Sequence, residues 1–511
     1  MAHGPDTLAG RRVGLEKESL RVDASGRIAG TPHPRALGSA LTHPWLTTDY
    51  SEALLEFVTP PSTGSRAALD FLADLQTFVY QTIDDERLWA TSMPCALAGA
   101  ESIPIADYGP SNAGMMKTVY RRGLGHRYGR TMQVIAGVHF NFSLPEAFWP
   151  VYQALEGEPG ELRPFRDARY FGMIRNLQRV GWIIPYLFGA SPAVCKSFLA
   201  GRGSSLEAFD ASTAYEPWAT SLRLGDIGYT NTREDQTGIK ACYDNLDAYV
   251  DSLSCAIETP FPDYERLGVV QDGRYEQLNA NILQIENEYY STVRPKQPTE
   301  GMEKPSLALR RRGVSYVELR SLDVNAWEPL GVATDQLHFV ETLMLYCLLQ
   351  ESPPVGPRER REIDGNQLAT AHRGREPGFD LLRHGRTTPL RDWAGEILDG
   401  MAGVAEWLDQ GENGSPYGDA VASQRAVVAD PELTPSARML AEMRERGEGF
   451  FEFARRQSET FRESYLKRGL SPERRALFEA EAQRSLAAQA AIEAAESESF
   501  EAFLAAYFAQ Q

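Results

Sequence analysis

Apolar and polar positions alternate with period two along GVSYVELRSLDVN at residues 313–325, the mark of a half-buried strand. Such a strand turns Val317 and Leu319 to the core and Tyr316, Glu318 and Arg320 to the opposite face. The same period runs through VGLEKESLRV at 13–22, where Glu16 and Glu18 share a face. It returns in TMQVIAGVHFNFS at 131–143, with Met132, Val134, Val138, Phe140 and Phe142 on one side and Gln133, His139 and Asn141 on the other. LNANILQIENEYY at 278–290 reads as a further strand presenting Gln284, Glu286 and Glu288. TTDYSEALLEF at 47–57 sets Asp49 and Glu56 among strand-like apolar residues.

Elsewhere the period is helical. Leu69, Leu72, Leu75, Phe78, Val79 and Ile83 predict a helix within 65–89, and Tyr170, Met173, Ile174, Leu177 and Val180 another over 165–180. A third covers 334–350, capped by Thr334 or Asp335. Residues 91–130 are rich in Gly, Pro and Ser and read as a long loop with short helical pieces; a loop of that length usually serves function. The polar, Arg-, Pro- and Gly-rich stretch 352–388 marks a boundary, beyond which helices alone are expected. Thr434-Pro435 is a helix start and Gly447 a stop, and the tail 471–508 offers Leu477, Phe478, Ile492, Phe500, Leu504 and Phe508 for packing. The expected organisation is α+β: a sheet-and-helix body over 1–350, a polar connector over 351–388, and a C-terminal helical region over 389–511 that acts as a buttress without catalytic residues.

The polar faces carry the chemistry. Glu16 and Glu18 repel each other, and a bound cation is the simplest relief. Glu318 beside Arg320 places a hard-cation ligand next to a fork for phosphate oxygens. Each strand alone has a plainer reading, as an ion pair, solvated acids or a packed histidine. Their repetition within the first 330 residues favours a shared site. Oxygen ligands predominate and no cysteine cluster accompanies them, which points to Mg²⁺ or Mn²⁺ over structural zinc. There is no GxxxxGK[ST] loop and no GxGxxG between strand and helix; GLGHRYG at 123–129 has the wrong final spacing. The neighbouring Lys117, Arg121, Arg122, Arg127 and Arg130 form a basic run, of which Arg121 is the candidate for anionic substrates.

Composition narrows the classes. An apolar content of 42% with 24% charged residues is globular, and a net charge of −18 argues against a nucleic-acid binder. The five cysteines are scattered without CxxC spacing, which favours reduced thiols in a cytoplasmic protein, with Cys195 a buried structural thiol. The N-terminus has no apolar signal region, and residues 181–200 are too interrupted by Pro185, Pro192 and Lys196 to span a membrane.

The strings GLEKESLRV, TTDYSEALLEF, YGPSNAGMMKTVYRRGLGHRYG, GVHFNFSLP, YLFGASPAVC, TSLRLGDIGYTN, LQIENEYYSTVRPK and YVELRSLDVN, in this order, resemble proteobacterial glutamate–cysteine ligase. The resemblance is strong over 11–350 and weak beyond. It implies a curved antiparallel sheet like the catalytic domain of glutamine synthetase, with helices behind it. It also implies ATP-dependent joining of the L-glutamate γ-carboxylate to the amine of L-cysteine through a γ-glutamyl phosphate, by a monomer. Carried over residue by residue, Glu16, Glu18, Asp49, Glu56, His139 and Glu318 resemble the metal shell, and Arg320 the group that steadies the transferring phosphoryl. Tyr120, Arg121, Gln133, Arg223, Tyr229 and Tyr290 match positions around the amino-acid substrates. Two other readings stay open: a ligase using another amine, and a non-catalytic sensor of nucleotide or glutathione.

Overall fold

The computed structural model describes residues 7–199, 203–228 and 240–510. Its centre is a seven-stranded antiparallel sheet. The strands are β1 (Arg12–Val22), β2 (Leu46–Thr48), β3 (Leu54–Val58), β4 (Arg87–Leu88), β5 (Val138–Ser143), β6 (Val293–Lys296) and β7 (Tyr316–Leu322). They lie in the order β6-β7-β5-β1-β3-β2, with β4 paired to the end of β1. The mixture of helices with an antiparallel sheet is the class the sequence predicts.

Register decides which side chains meet. Directly opposed residues of neighbouring strands point to the same side of a sheet. The pairs Arg294↔Glu318, Glu318↔Asn141, Glu16↔His139 and Glu18↔Glu56 therefore put one polar row across β6, β7, β5, β1 and β3. The alternate positions Val317, Leu319, Val138, Phe140, Phe142, Leu15, Leu55 and Phe57 face the other way, and each is almost fully buried. Lys17 also lies on that apolar side, donating to Gln76 Oε1 at 2.5 Å; burial pushes its pKa down to about 7.

Seven helices matter below: α1 (Ser65–Tyr80), α2 (Asn112–Tyr128), α3 (Leu162–Val180), α4 (Thr334–Leu349), α5 (Pro357–Arg373), α6 (Pro472–Ala495) and α7 (Phe500–Phe508). Helix α1 packs against β1 and β3, with Leu69, Leu72, Leu75, Phe78 and Val79 buried as their spacing predicts. Helices α3 and α4 also follow the expected positions, although the N-cap position of α4 falls on Ala333, so no side chain caps it, neither Thr334 nor Asp335. Thr434 caps its helix by accepting from the Ala437 N–H at 3.2 Å, and Gly447 ends it in the left-handed conformation.

Four expectations are corrected. The supposed loop 91–130 contains α2, whose glycines and arginines conceal a helix of 17 residues. Residues 278–290 form no strand; they are irregular apart from a short turn of helix at Glu286–Glu288. Alternation in 131–143 is strand only from Val138, because Met132–Val134 is a helical turn. The polar stretch 352–388 is more than a connector: it holds α5 and nearly all of a hairpin, Asp380–Arg383 with Arg386–Pro389, after which the described elements are helices alone, as expected.

The thiol expectation also fails in part. Cys95 and Cys195 form a disulfide with their Cα atoms 5.3 Å apart, across a sequence separation of 100 residues. Local spacing carries no trace of a pairing made by tertiary proximity. Cys347 is a buried free thiol, Cys242 is half-buried and Cys255 exposed. Among the described residues, no helix is long and apolar enough to cross a membrane.

One continuous apolar cluster extends from Leu8 to Phe478, so the C-terminal helices up to α6 share the core of the sheet, while Phe500, Leu504 and Tyr507 of α7 pack with Met116 and Val119 of α2 in a separate cluster. Phe478 on α6 is fully buried among Trp45, Phe71 and Phe78, with ring centroids 6.0, 5.6 and 5.5 Å away. Phe478→Ala is expected to destabilise the protein by about 3–5 kcal/mol, the scale for truncating a buried aromatic. Urea unfolding measures it, and a change below about 1 kcal/mol would show that α6 is not anchored there.

Candidate active site

The polar row floors a cavity of about 460 Å³. Its tightest cluster is Glu16, His139 and Glu318, whose ligating atoms all lie within 4.8 Å of one another. His139 Nδ1 is 3.1 Å from Glu16 Oε2 and 3.7 Å from Glu318 Oε1, while Nε2 is 3.8 Å from Glu18 Oε1. Asn141 donates to Glu16 Oε1 at 2.9 Å, and the Gly137 N–H donates to Glu18 Oε2 at 2.7 Å. These bonds hold the carboxylates in place from outside the cluster.

Electrostatics explains why acids crowd here. Glu318, fully buried, stays well below the usual carboxylate range: burial opposes ionisation, but Lys296, Arg320 and His139 outweigh it. Burial, then the charges of Glu16, Asp49 and Glu18, pushes Glu56 well above that range. Burial raises Glu18 too, with Asp49 adding to it. A divalent cation among these groups would favour the ionised form of all of them. The donor set fits one: hard oxygens, one imidazole, and a buried Glu318 Oε2 that accepts no hydrogen bond. Glu18, Asp49 and Glu56 line the same cavity but lie outside the three-residue cluster.

Arg320 sits beside the acids. Its Nη1 donates to Glu318 Oε1 at 3.1 Å and lies 3.4 Å from His139 Nδ1, and its buried Nε has no hydrogen-bond partner. The pairing of β7 with β5 shifts register between Leu319 and Leu322, so an irregularity falls on Arg320. Such irregularities re-aim a side chain relative to the regular pleat.

The remaining candidates divide. Tyr120, Arg121, Gln133 and Tyr290 line the cavity. Arg121 is also tied to the end of β2: its Nε donates to the Asp49 carbonyl, its Nη2 reaches Thr48 O at 3.4 Å, and its guanidinium lies 4.6 Å from the centroid of Tyr108. Arg223 is not on the cavity wall. It is buried beneath Arg320, donating to the Arg320 carbonyl at 2.9 Å, with Asp323 Oδ1 at 3.6 Å. Gly137 admits it, since a Cβ there would stand 2.1 Å from Arg223 Nη2. Tyr229 lies outside the described residues.

Several lining residues carry weaker signals in the sequence or none. Arg294 and Lys296 share a face of β6, and Lys296 Nζ is 3.5 Å from Glu318 Oε2. Their alternation in TVRPK is a readable signal. Lys117 has one also, as part of the basic run; burial, then Arg121, pushes its pKa down to about 8. Tyr507 of α7 has no local signal, and its place on the wall corrects the expectation that the C-terminal region only buttresses. Gln284, Glu286 and Glu288 share no strand face, although Glu288 lines the cavity and accepts from Gln284 Nε2 at 3.2 Å. Glu288 accepts from Arg127 and Tyr128, both at 2.9 Å, while Glu286 accepts from Ser306.

Comparison with known proteins agrees with this geometry. Residues 2–370 match the family model described as glutamate-cysteine ligase. Glutamate–cysteine ligase of Azotobacter vinelandii is 52% identical over 97% of this chain and 93% of its own length. That of Alcanivorax borkumensis is 50% identical over 98% and 96%. The crystal structure of glutamate–cysteine ligase from Francisella tularensis in complex with AMP superposes with a TM-score of 0.91 at 35% identity, covering 98% of this chain and 97% of that one.

Proposed function

The chain belongs to the glutamate–cysteine ligase family, and from that premise we propose that it joins the γ-carboxylate of L-glutamate to the amine of L-cysteine with hydrolysis of ATP to ADP and phosphate. The observation that carries the assignment to this cavity is the meeting of Glu16, His139 and Glu318 beside Arg320 on its floor.

A carboxylate is a poor electrophile at neutral pH, so amide formation in water needs activation. A γ-carboxylate oxygen of glutamate attacks the γ-phosphorus of ATP, ADP leaves, and the cysteine amine displaces phosphate from the resulting acyl phosphate as it loses a proton. Two anions must approach in the first step. Glu16, His139 and Glu318 would hold a divalent cation, Mg²⁺ or Mn²⁺, with Glu18, Asp49 and Glu56 available around them; when bound it supplies charge neutralisation for the phosphates. Arg320 contributes a fixed guanidinium at the transferring group. Tyr120, Arg121, Gln133 and Tyr290 orient the amino acids, and Arg223 supports that end from below. A cytoplasmic setting follows from the need for ATP.

Purified protein incubated with ATP, Mg²⁺, L-glutamate and a panel of amines tests the activity. Phosphate release that depends on cysteine, with γ-glutamylcysteine as product, is expected. Preference for another amine, or no turnover with any, would overturn it. Within the same reading, Tyr290→Phe should raise the cysteine KM more than the ATP KM. Loss of one uncharged hydrogen bond corresponds to about 0.5–1.5 kcal/mol. Equal effects on both substrates would make Tyr290 a packing residue.

A further inference from the structure

The turn Leu222–Leu224, which carries Arg223, is held at both ends by one side chain from outside the sheet. His372, in the last turn of α5, places Nδ1 2.8 Å from Glu216 Oε2 and Nε2 3.2 Å from Asp226 Oδ1. Glu216 precedes the turn and Asp226 follows it. Gly225 lies against the ring, because a Cβ there would be 2.6 Å from His372 Nε2. The backbone reinforces the contact: Thr220 and Ser221 donate to the Ala371 carbonyl at 2.9 and 3.1 Å, and Thr220 Oγ1 donates to Thr370 O at 3.0 Å. Against the pull of burial, the bonds and charges of Glu216 and Asp226 raise the His372 pKa above the usual imidazole range, and the Asp226 N–H also approaches Nε2 at 3.3 Å.

What this staple holds is Arg223. The guanidinium reaches under β7 to the Arg320 carbonyl, in a space bounded by Gly137 and Asp323. A turn that drifts by a fraction of an ångström would move Arg223 and release the backbone of Arg320. We propose that His372 is a positioning residue for the ligase reaction: by bridging Glu216 and Asp226 it fixes the turn that keeps Arg223 in register beneath Arg320. The inference rests on the reading of Arg223 as a group serving the amino-acid end of the site. Glu216 and Asp226 are the partners through which His372 acts, and the half-exposed rim of the clamp makes it separable from the core: the Asp226 side chain is 65% exposed.

The test is steady-state kinetics on His372→Gln, Asp226→Asn and their combination, alongside Arg223→Lys, with a thermal melt for each. His372→Gln is expected to lower kcat/KM for the amino acids by about 5–10-fold while the ATP KM changes less than about twofold, a size typical of coupling between contacting residues. Asp226→Asn should act in the same direction and more weakly. The combined variant should be no worse than His372→Gln alone, because both remove one clamp. Unchanged amino-acid kinetics in both single variants would overturn the proposal, as would a fall in kcat that merely follows a lowered melting temperature. If His372→Gln does not fold, Asp226→Asn alone decides: weakened amino-acid kinetics support the clamp, and unchanged kinetics overturn it. Arg223→Lys separates the two levels: impaired Arg223→Lys with normal clamp variants sinks the clamp alone, and normal Arg223→Lys sinks the reading of Arg223 together with the clamp.

Discussion

Arg320→Lys lowers kcat on the order of 10²-fold or more, the scale for removal of one preorganised transition-state donor, while ATP affinity changes far less. The reason is geometric. A guanidinium presents a planar fork with several fixed N–H donors, whereas an ammonium is a point charge on a flexible stem. Arg320 is already braced: Nη1 is bound to Glu318 at 3.1 Å, and its carbonyl accepts from Arg223 at 2.9 Å. Nη1 alone is engaged by neighbouring side chains, which leaves Nη2 of the rigid fork as a donor for substrate. Lysine would keep the charge and the attraction to Glu318 but lose that donor. Steady-state rates with a direct ATP-binding measurement decide the matter. A near-normal kcat in the lysine variant would reduce Arg320 to a structural partner of Glu318.

Glu318→Gln is the second large effect. The substitution is nearly isosteric and removes one negative charge from a fully buried position. Glu318 faces Lys296 at 3.5 Å, Arg320 at 3.1 Å and His139 at 3.7 Å, so it balances two cations as well as offering an oxygen to a metal. An amide satisfies neither role. The Mg²⁺ concentration for half-maximal activity should rise about tenfold or more, with kcat falling on the order of 10²-fold, since ligand charge sets the affinity of hard cations. If Glu318 serves only as a counter-ion for Arg320 and Lys296, the variant will melt earlier but keep the wild-type Mg²⁺ titration. Titrating Mg²⁺ and recording the melt on one preparation separates the two roles.

Much of the site was legible because strand periodicity is a local property. Period two put Glu318 and Arg320 on one face of β7, where a 3.1 Å hydrogen bond joins them across the irregularity, and Glu16 and Glu18 on one face of β1, in agreement with the registers found there. It located Val317 and Leu319 in the core, where they are 0% and 2% exposed. The same reasoning failed at 278–290, where the chain is irregular: Gln284 Nε2 donates to Glu288 at 3.2 Å, Glu288 also accepts from Arg127, and Glu286 accepts from Ser306. It also missed α2, because glycine and arginine weaken the helical pattern while tertiary packing sustains the helix.

From the sequence alone came the α+β class, the polar face of each strand, the absence of a P-loop and the family resemblance. All of these depend on neighbours within a few residues or on the order of motifs. Only the tertiary structure decided that Glu16, His139 and Glu318 converge within 4.8 Å, and that Arg223 lies under the floor rather than on the wall. It alone paired Cys95 with Cys195, carried Tyr507 to the cavity and brought His372 to the turn around Arg223. Those contacts join residues far apart in the chain. No local backbone preference encodes such proximity; it arises when strand register and the burial of a shared apolar core select one packing.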